Sequence, residues 1–416
     1  MFFQYIFITI FFTWIVLFVF IKIRFPFWNI QPVFHTYDYW RYFYWTPFIV
    51  YKYLPIKTKY CDFEQVFTEN YSECSQYDKN NLVNLLQCYY LPSDRILHTI
   101  TEKHLHSYLT GYNEPTFISF FKEKHYNKTD LSGNIEIITS EIPIGCITSR
   151  PTRIFFRPTL TEDIYTESIV YFIDFLSVNR ERDIKTISRK LLQTHEYNQR
   201  KKNPNIQVSL IKKEIDLFDG VVPCIQYNTM TFYLRNIKFP SLPPHFQVIR
   251  VLKENQDLLA DFLHIQTKAN FKMGDCLFDL CIVPEMGSLI TLINSELLYV
   301  YALKSGDQIY GIYFIKDLKT QYEDIEGDTL ECIASVSNSY NNKLFYLGFL
   351  HSLQHIIKNK KNYKMLLFDE IGHNLYLLEK WREKHSPIFT NPTAYYLFNY
   401  IYPRTPIDPG RCFVIL

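Results

Sequence analysis

The chain has 416 residues, with 44 Lys and Arg against 42 Asp and Glu, a net charge of only +2. That balance excludes nucleic-acid binding driven by whole-protein charge, and a hydrophobic share of 47% excludes wholesale disorder. Aromatics are plentiful, with 33 Tyr and 35 Phe, while Gly is only 12; glycine-rich phosphate loops are disfavoured, and no P-loop pattern occurs.

Residues 1–21 carry no charged side chain. As a helix the run is roughly 30 Å long, enough to cross a bilayer, and it is read as a single-pass transmembrane anchor. A cleaved signal would show a basic start, a shorter apolar stretch and a small-residue cleavage site, and none is present. Lys22 and Arg24 follow the run, which places the body on the cytosolic side of the membrane. Tyr37, Tyr39, Trp40, Tyr42, Tyr44 and Trp45 come next; a place at the headgroups and a packed core edge both stay open. The nine cysteines (61, 74, 88, 146, 224, 276, 281, 332, 412) form no CxxC pair and fit reduced thiols. Asn70-Tyr71-Ser72 and Asn127-Lys128-Thr129 match the glycosylation pattern, and their use would contradict a cytosolic body.

Along the body, residues 22–60 are aromatic and irregular, and 61–130 read as helices with polar loops. Strands are expected at Ile135 to Ile138, Ile144 to Thr148, Ile154 to Phe156 and Ser168 to Val178. Residues 183–200 form a basic amphipathic helix, with Ile184, Ile187, Leu191 and Leu192 at helical spacing. A strand follows at Gln207 to Ile211. Phe239-Pro240-Ser241-Leu242-Pro243-Pro244 is the best linker, because its prolines resist helix and sheet alike. Beyond it come a helix near 253–265, strands at 296–302, 309–315 and 330–338, and a helix from Lys343 to Lys358. A strand from Met365 to Phe368, a helix from Leu375 to Lys384 and strands near 394–401 and 411–416 complete the chain. The pattern is α+β: two lobes with mixed sheets and flanking helices, 22–238 and 239–416, behind the 1–21 anchor.

Four segments resemble N-myristoyltransferases, in that family's order. Phe27-Trp28-Asn29-Ile30-Gln31-Pro32-Val33 is similar to FWxTQPV, and Pro143-Ile144-Gly145-Cys146-Ile147-Thr148-Ser149 is similar to LVGFISA. Phe172 to Asn179, FIDFLSVN, resembles INFLCVH. Ala334 to Leu416 resembles the family's C-terminal stretch and ends Phe413-Val414-Ile415-Leu416. The resemblance implies two GNAT-like halves, the first binding acyl-CoA and the second peptide. It implies transfer of myristoyl from myristoyl-CoA to the amino group of an N-terminal glycine. By the same resemblance the Leu416 carboxylate is the general base, and the backbone N–H groups of Phe175 and Leu176 form the oxyanion hole. Phe27, Trp28, Val178, Lys185 and Arg189 are expected to bind acyl-CoA, which is a substrate and not a prosthetic group. Peptides or proteins with N-terminal glycine and the membrane complete the expected partners, with no nucleic acid.

Two segments depart from the family pattern. The phosphate loop reads Arg180-Glu181-Arg182-Asp183-Ile184-Lys185-Thr186-Ile187-Ser188-Arg189-Lys190. Asp183 stands where the family has Arg, and Arg180, Arg182, Arg189 and Lys190 would restore charge from shifted positions. The family's glycine-rich peptide segment is replaced by Phe389 to Tyr400, which has no glycine. A binding pseudoenzyme and a membrane-anchored scaffold therefore stand as alternatives to an enzyme. No metal site is expected: His351 and His355 lack the zincin Glu, and His104 and His106 lack partners at ligand spacing. Glu323, Asp324, Glu326 and Asp328 read as a solvated loop.

Overall fold

The computed structural model describes residues 2–43, 46–55, 57–91, 93, 95–131, 134–157, 166–268, 278–323, 325–338, 341–358 and 362–416. Tyr44, Trp45, Cys276 and Asp324 lie outside these, as do the side chains of Tyr42 and Asn127. Helix α1 (Phe2–Arg24) is long and apolar enough to cross a bilayer, and its apolar window is wholly unburied. Short 3₁₀ turns at Trp28–Ile30 and Tyr39–Phe43 lead into β1 (Phe48–Ile49).

The first half continues with β2 (Val66–Asn70), α2 (Gln76–Tyr89), β3 (Ile96–His98) and α3 (Glu102–Leu109). Then come β4 (Phe117–Leu131), β5 (Asn134–Phe156), β6 (Thr166–Val178), α4 (Ile184–Lys202), β7 (Ser209–Glu214) and β8 (Ile225–Tyr233). After 234–246, which hold no helix or strand, follow β9 (Gln247–Arg250), α5 (Gln256–Lys268), β10 (Leu280–Val283), α6 (Met286–Asn294), β11 (Leu298–Ser305) and β12 (Gln308–Tyr322). The chain closes with β13 (Ile325–Ser337), α7 (Asn342–Lys358), β14 (Tyr363–Asp369), α8 (Asn374–Arg382), β15 (Phe389–Phe398), β16 (Tyr400–Ile401) and β17 (Cys412–Val414).

Three expectations are corrected. Residues 61–130 are not helices and loops alone: β2, β3 and most of β4 lie there. The short strands expected between 135 and 156 are one strand, β5. Pro143 and Pro151 suggest breaks, yet Pro143 sits beside a bulge at Phe121/Lys122, where a missing N–H is tolerated. The short β10 and α6 are elements that local periodicity did not reveal.

Among the described residues one mixed sheet of 15 strands runs β17-β10-β5-β6-β7-β15-β8-β14-β13-β12-β11-β9, with β4, β2 and β3 attached beside this path. Strands from late in the chain enter early territory. β15 lies between β7 and β8, and β10 joins β17 to the edge of β5. Buried side chains fill both faces. One cluster gathers Leu86, Tyr108, Phe175, Phe262, Leu289 and Phe413, and another packs α7 and α8 around Trp381. A third joins Phe27 and Val178 to Ile187 and Leu191 of α4.

Candidate functional site

β6 runs parallel to β7 only where Tyr171 to Ile173 face Ser209 to Ile211, although the strands continue to Val178 and Glu214. They part beside a bulge. Cys146 faces Ser177 and Thr148 faces Asp174, so Phe175 and Leu176 together oppose Ile147; two residues against one bend the strand. Phe175 takes a left-handed φ of 54°, which costs a non-glycine residue about 1–3 kcal/mol. Packing enforces it. The buried ring meets Tyr90 and Tyr108 edge-on, with centroids 5.3 and 5.7 Å away. The Phe175 N–H donates to Asp174 Oδ1 at 2.8 Å. Asp174 also accepts from Tyr90 Oη at 3.4 Å and lies 3.4 Å from buried Arg150.

The C-terminal strand approaches the same place. β17 pairs with β10 in parallel, and the Ile415 N–H donates to Ile282 O at 2.8 Å. Phe413 and Ile415 share a core cluster with Phe175 and Tyr108. Lys316 Nζ donates to the main-chain oxygen of Leu416 at 3.2 Å and lies 5.2 Å from the Tyr108 ring centroid. Tyr108 thus touches Phe175 on one hand and the partner of Leu416 on the other. Beside Leu416, a cavity of about 10 Å³ lined by Tyr108, Pro284, Lys316 and Ile415 has room for about one water. Burial, aided by the Arg150 charge, lowers the Lys316 pKa.

Phe27, Trp28, Val178 and Arg189 converge on the other side of β6. Phe27 is buried with Val178 and Leu191, 4.9 Å from the Trp28 ring, and the Arg189 guanidinium lies 5.7 Å above it. Gly145 permits this closeness, since a Cβ there would stand 3.1 Å from both Ser177 O and Leu191 Cδ1. Lys185 lies on the exposed first turn of α4.

The loop expected to hold phosphate is largely engaged by its own chain. The Asp183 carboxylate caps α4 by accepting from the Thr186 N–H at 3.1 Å, which lowers its pKa. Arg182 pairs with Glu123 at 2.8 Å, and Lys190 with Asp62 at 2.8 Å. Arg180 donates to Leu91 O. Of Arg180, Arg182, Arg189 and Lys190, expected to restore the family's basic run, only Arg189 makes no such carboxylate or carbonyl contact among the described residues, and neither does Lys185.

A cluster of charged side chains across β7, β13 and β14 went unread in the sequence. Lys212 Nζ lies 2.7 Å from Glu214 and 3.8 Å from buried Glu331. Burial pushes the Glu331 carboxyl up to about 7. Burial pulls the Lys212 pKa down, but Glu214, Asp369 and Glu331 outweigh it and hold the ammonium well above its usual value. Asp369 accepts from Thr229 at 2.7 Å and Tyr227 at 3.1 Å. The available signal was a lone charge inside an apolar strand run, Glu331 within Leu330 to Val336.

The glycine-free peptide segment is regular strand, with Thr393 facing both Tyr227 and Glu214. The left-handed backbone position falls instead on Asn399, φ 66°, whose side chain donates to Tyr51 O and Gln207 O. The histidines do local work: His104 Nδ1 accepts from the Thr101 N–H at 3.2 Å, and His351 Nε2 bonds Pro240 O at 2.6 Å.

No protein-family model matches the sequence, and no curated protein matches it. The fold does match solved structures. Saccharomyces cerevisiae N-myristoyltransferase with bound myristoyl-CoA superposes at a TM-score of 0.65 with 13% identity, over 93% of this chain and 94% of that one. A further structure of the yeast enzyme, with myristoyl-CoA and inhibitors, gives the same score and identity over 92% and 91%. The chain therefore shares the fold of N-myristoyltransferase.

Proposed function

We propose that the protein is an N-acyltransferase that moves a myristoyl group from myristoyl-CoA to the α-amine of an N-terminal glycine. The observation that carries this reading is the left-handed bulge at Phe175 and Leu176, at the point where β6 and β7 part. Phe27, Trp28 and Val178 would border the acyl-CoA, with Lys185 and Arg189 toward its phosphates. The amine lone pair attacks the thioester carbonyl, and the developing oxyanion is met by the Phe175 and Leu176 N–H groups. The intermediate's ammonium is far more acidic than the protonated form of the free amine. A weak base held in place, the carboxylate of Leu416 as last residue, suffices to take its proton. The C–S bond then breaks, and CoA leaves as thiolate and collects a proton. Lys316 would orient that carboxylate. Helix α1 would anchor the body to the cytosolic face of a membrane.

One observation favours a second reading, a pseudoenzyme that binds acyl-CoA without turnover. The Phe175 N–H is already taken by Asp174 Oδ1, so the oxyanion hole opens only if that bond breaks. The test is transfer from myristoyl-CoA to peptides with N-terminal glycine, with the native C-terminus and with a short extension past Leu416. The enzyme reading expects transfer that the extension cuts by about 100-fold or more, as loss of a general base does. Tight myristoyl-CoA binding with no transfer would establish the pseudoenzyme; no binding at all would favour a scaffold.

A further inference from the structure

We infer that the protein touches the membrane twice: once through α1, and again through an aromatic belt on its body formed by Tyr39, Trp40, Phe43, Tyr51 and Tyr53. The inference rests on α1 being the anchor. Trp40 is 83% exposed, Tyr39 71%, Phe43 72% and Tyr53 86%. Single exposed apolar residues are ordinary, but a group that includes Trp40 and Phe43, whose ring centroids are 6.3 Å apart, on segments tied to the end of a membrane-type helix is not.

The end of α1 is fixed to the body beside this belt. Two backbone bonds continue past the end of α1, from Phe25 N to Ile21 O and from Asn29 N to Phe25 O, at 2.9 and 3.0 Å. Arg24 pairs with Asp219. The Phe25 ring covers Gly220, where a Cβ would stand 2.7 Å from it, and stacks on Tyr37 with centroids 5.5 Å apart. The turn bearing Tyr39, Trp40 and Phe43 begins two residues after Tyr37.

The second part of the belt is tied to the same end. Asn399 N–H donates to Pro32 O at 2.7 Å, and Tyr51 N–H donates to Asn399 Oδ1 at 2.8 Å. Arg200 donates to the carbonyls of Tyr51 and Tyr53, each at 2.8 Å. The backbone is thus pinned while both rings stay exposed.

The chemistry of the belt suits the lipid interface. Tyr and Trp combine an apolar ring with a polar group and collect at headgroup depth. Between Phe25 and Tyr60 the bases are Arg41, Lys52, Lys57 and Lys59, against the single acid Asp38, which is bonded to His35 Nδ1 at 2.7 Å. That excess favours an anionic leaflet. Since Phe27 and Trp28 lie only two and three residues past the docked Phe25, the proposed donor site would open at the headgroups. There it would take acyl-CoA that has partitioned into the bilayer.

The test is fluorescence of the full chain reconstituted in phosphatidylcholine–phosphatidylserine vesicles whose lipids carry bromine either near the headgroup or deep in the acyl chains. Difference spectra of the parent against Trp40→Phe and against Trp14→Phe isolate each indole. The belt predicts that Trp40→Phe removes a component quenched by shallow bromine, while Trp14→Phe removes one quenched by deep bromine. Quenched Trp14 with unquenched Trp40 would overturn the belt and leave the anchor standing, and the covering of the patch would then fall to another protein. No quenching of either indole would overturn both. Acyl transfer plays no part in the readout, so failure here is separate from failure of the enzyme reading.

Discussion

The molecule contains the same parallel strand–helix–strand unit twice, once as β6-α4-β7 and once as β13-α7-β14, and the two are finished differently. In the first, pairing stops at Ile173/Ile211 and the Phe175 bulge holds the strands apart. In the second, pairing runs from Asp328/Tyr363 to Cys332/Phe368, and Asn374 fills the space beyond. Its Nδ2 donates to Cys332 O at 2.9 Å and Asp369 O at 3.0 Å, and its Oδ1 accepts from Ser335 at 2.7 Å. The helices differ in the same sense. The buried face of α4 includes Gln193, Thr194, His195, Glu196, Gln199 and Arg200, while that of α7 is mainly Leu344, Phe345, Phe349 and Leu353. One unit keeps a strained backbone and a helix with a polar buried face; in the other the strands stay paired and the buried helix face is mainly apolar. Such costs persist where something over-determines them, which is why the first unit is the one assigned chemistry.

The sharpest way to break this contrast is Phe175→Ala. Removing a buried ring wedged between Tyr90 and Tyr108 while the left-handed φ remains should cost about 3–5 kcal/mol in urea unfolding. A loss under about 1 kcal/mol would show that the ring does not hold the bulge. Acid comes next. Burial pushes His195 down to about 3 and His98 down to about 4, from 6.5. Both folded values lie below the unfolded one, so the unfolded chain binds more protons. Stability is full above about pH 6.5 and falls toward pH 4 by up to about 1.4 kcal/mol per pH unit for each histidine. Hydrogen exchange should therefore loosen α4, which buries His195, before α7, whose His355 is exposed, as pH drops, and simultaneous loosening would erase the distinction.

Asn374→Ala probes the closed unit. Two buried carbonyls lose their donor, for about 2 kcal/mol, read as a lowered denaturation midpoint with myristoyl-CoA binding unchanged; weakened binding would mean that the second unit contributes to the donor site. The smallest expected effect is Asp183→Asn. It keeps a capping oxygen but removes the charge at the start of α4, so CoA should bind about threefold tighter by calorimetry. Unchanged affinity would place the phosphates away from this helix end.

Much of the architecture was legible because it depends on local pattern. The uncharged run at residues 1–21 can only be hydrophobic helix, and the 3.6-residue spacing of Ile187, Leu191 and Leu192 marks α4. The Phe27 to Val33 and Phe172 to Asn179 segments pointed to a fold that the solved structures match. What could not be read was partnership. Arg182 and Lys190 look like ligands for phosphate until Glu123 and Asp62, which lie far away in sequence, are seen to neutralise them.

By itself the sequence determined the apolar helix, the order of most helices and strands, and the α+β class, since each follows from side-chain periodicity within a dozen residues. Only the tertiary structure decided that β15 lies between β7 and β8, that Phe175 turns left-handed, and that Lys316 meets Leu416. Each of these depends on which distant surfaces are buried together, and local periodicity carries no record of that.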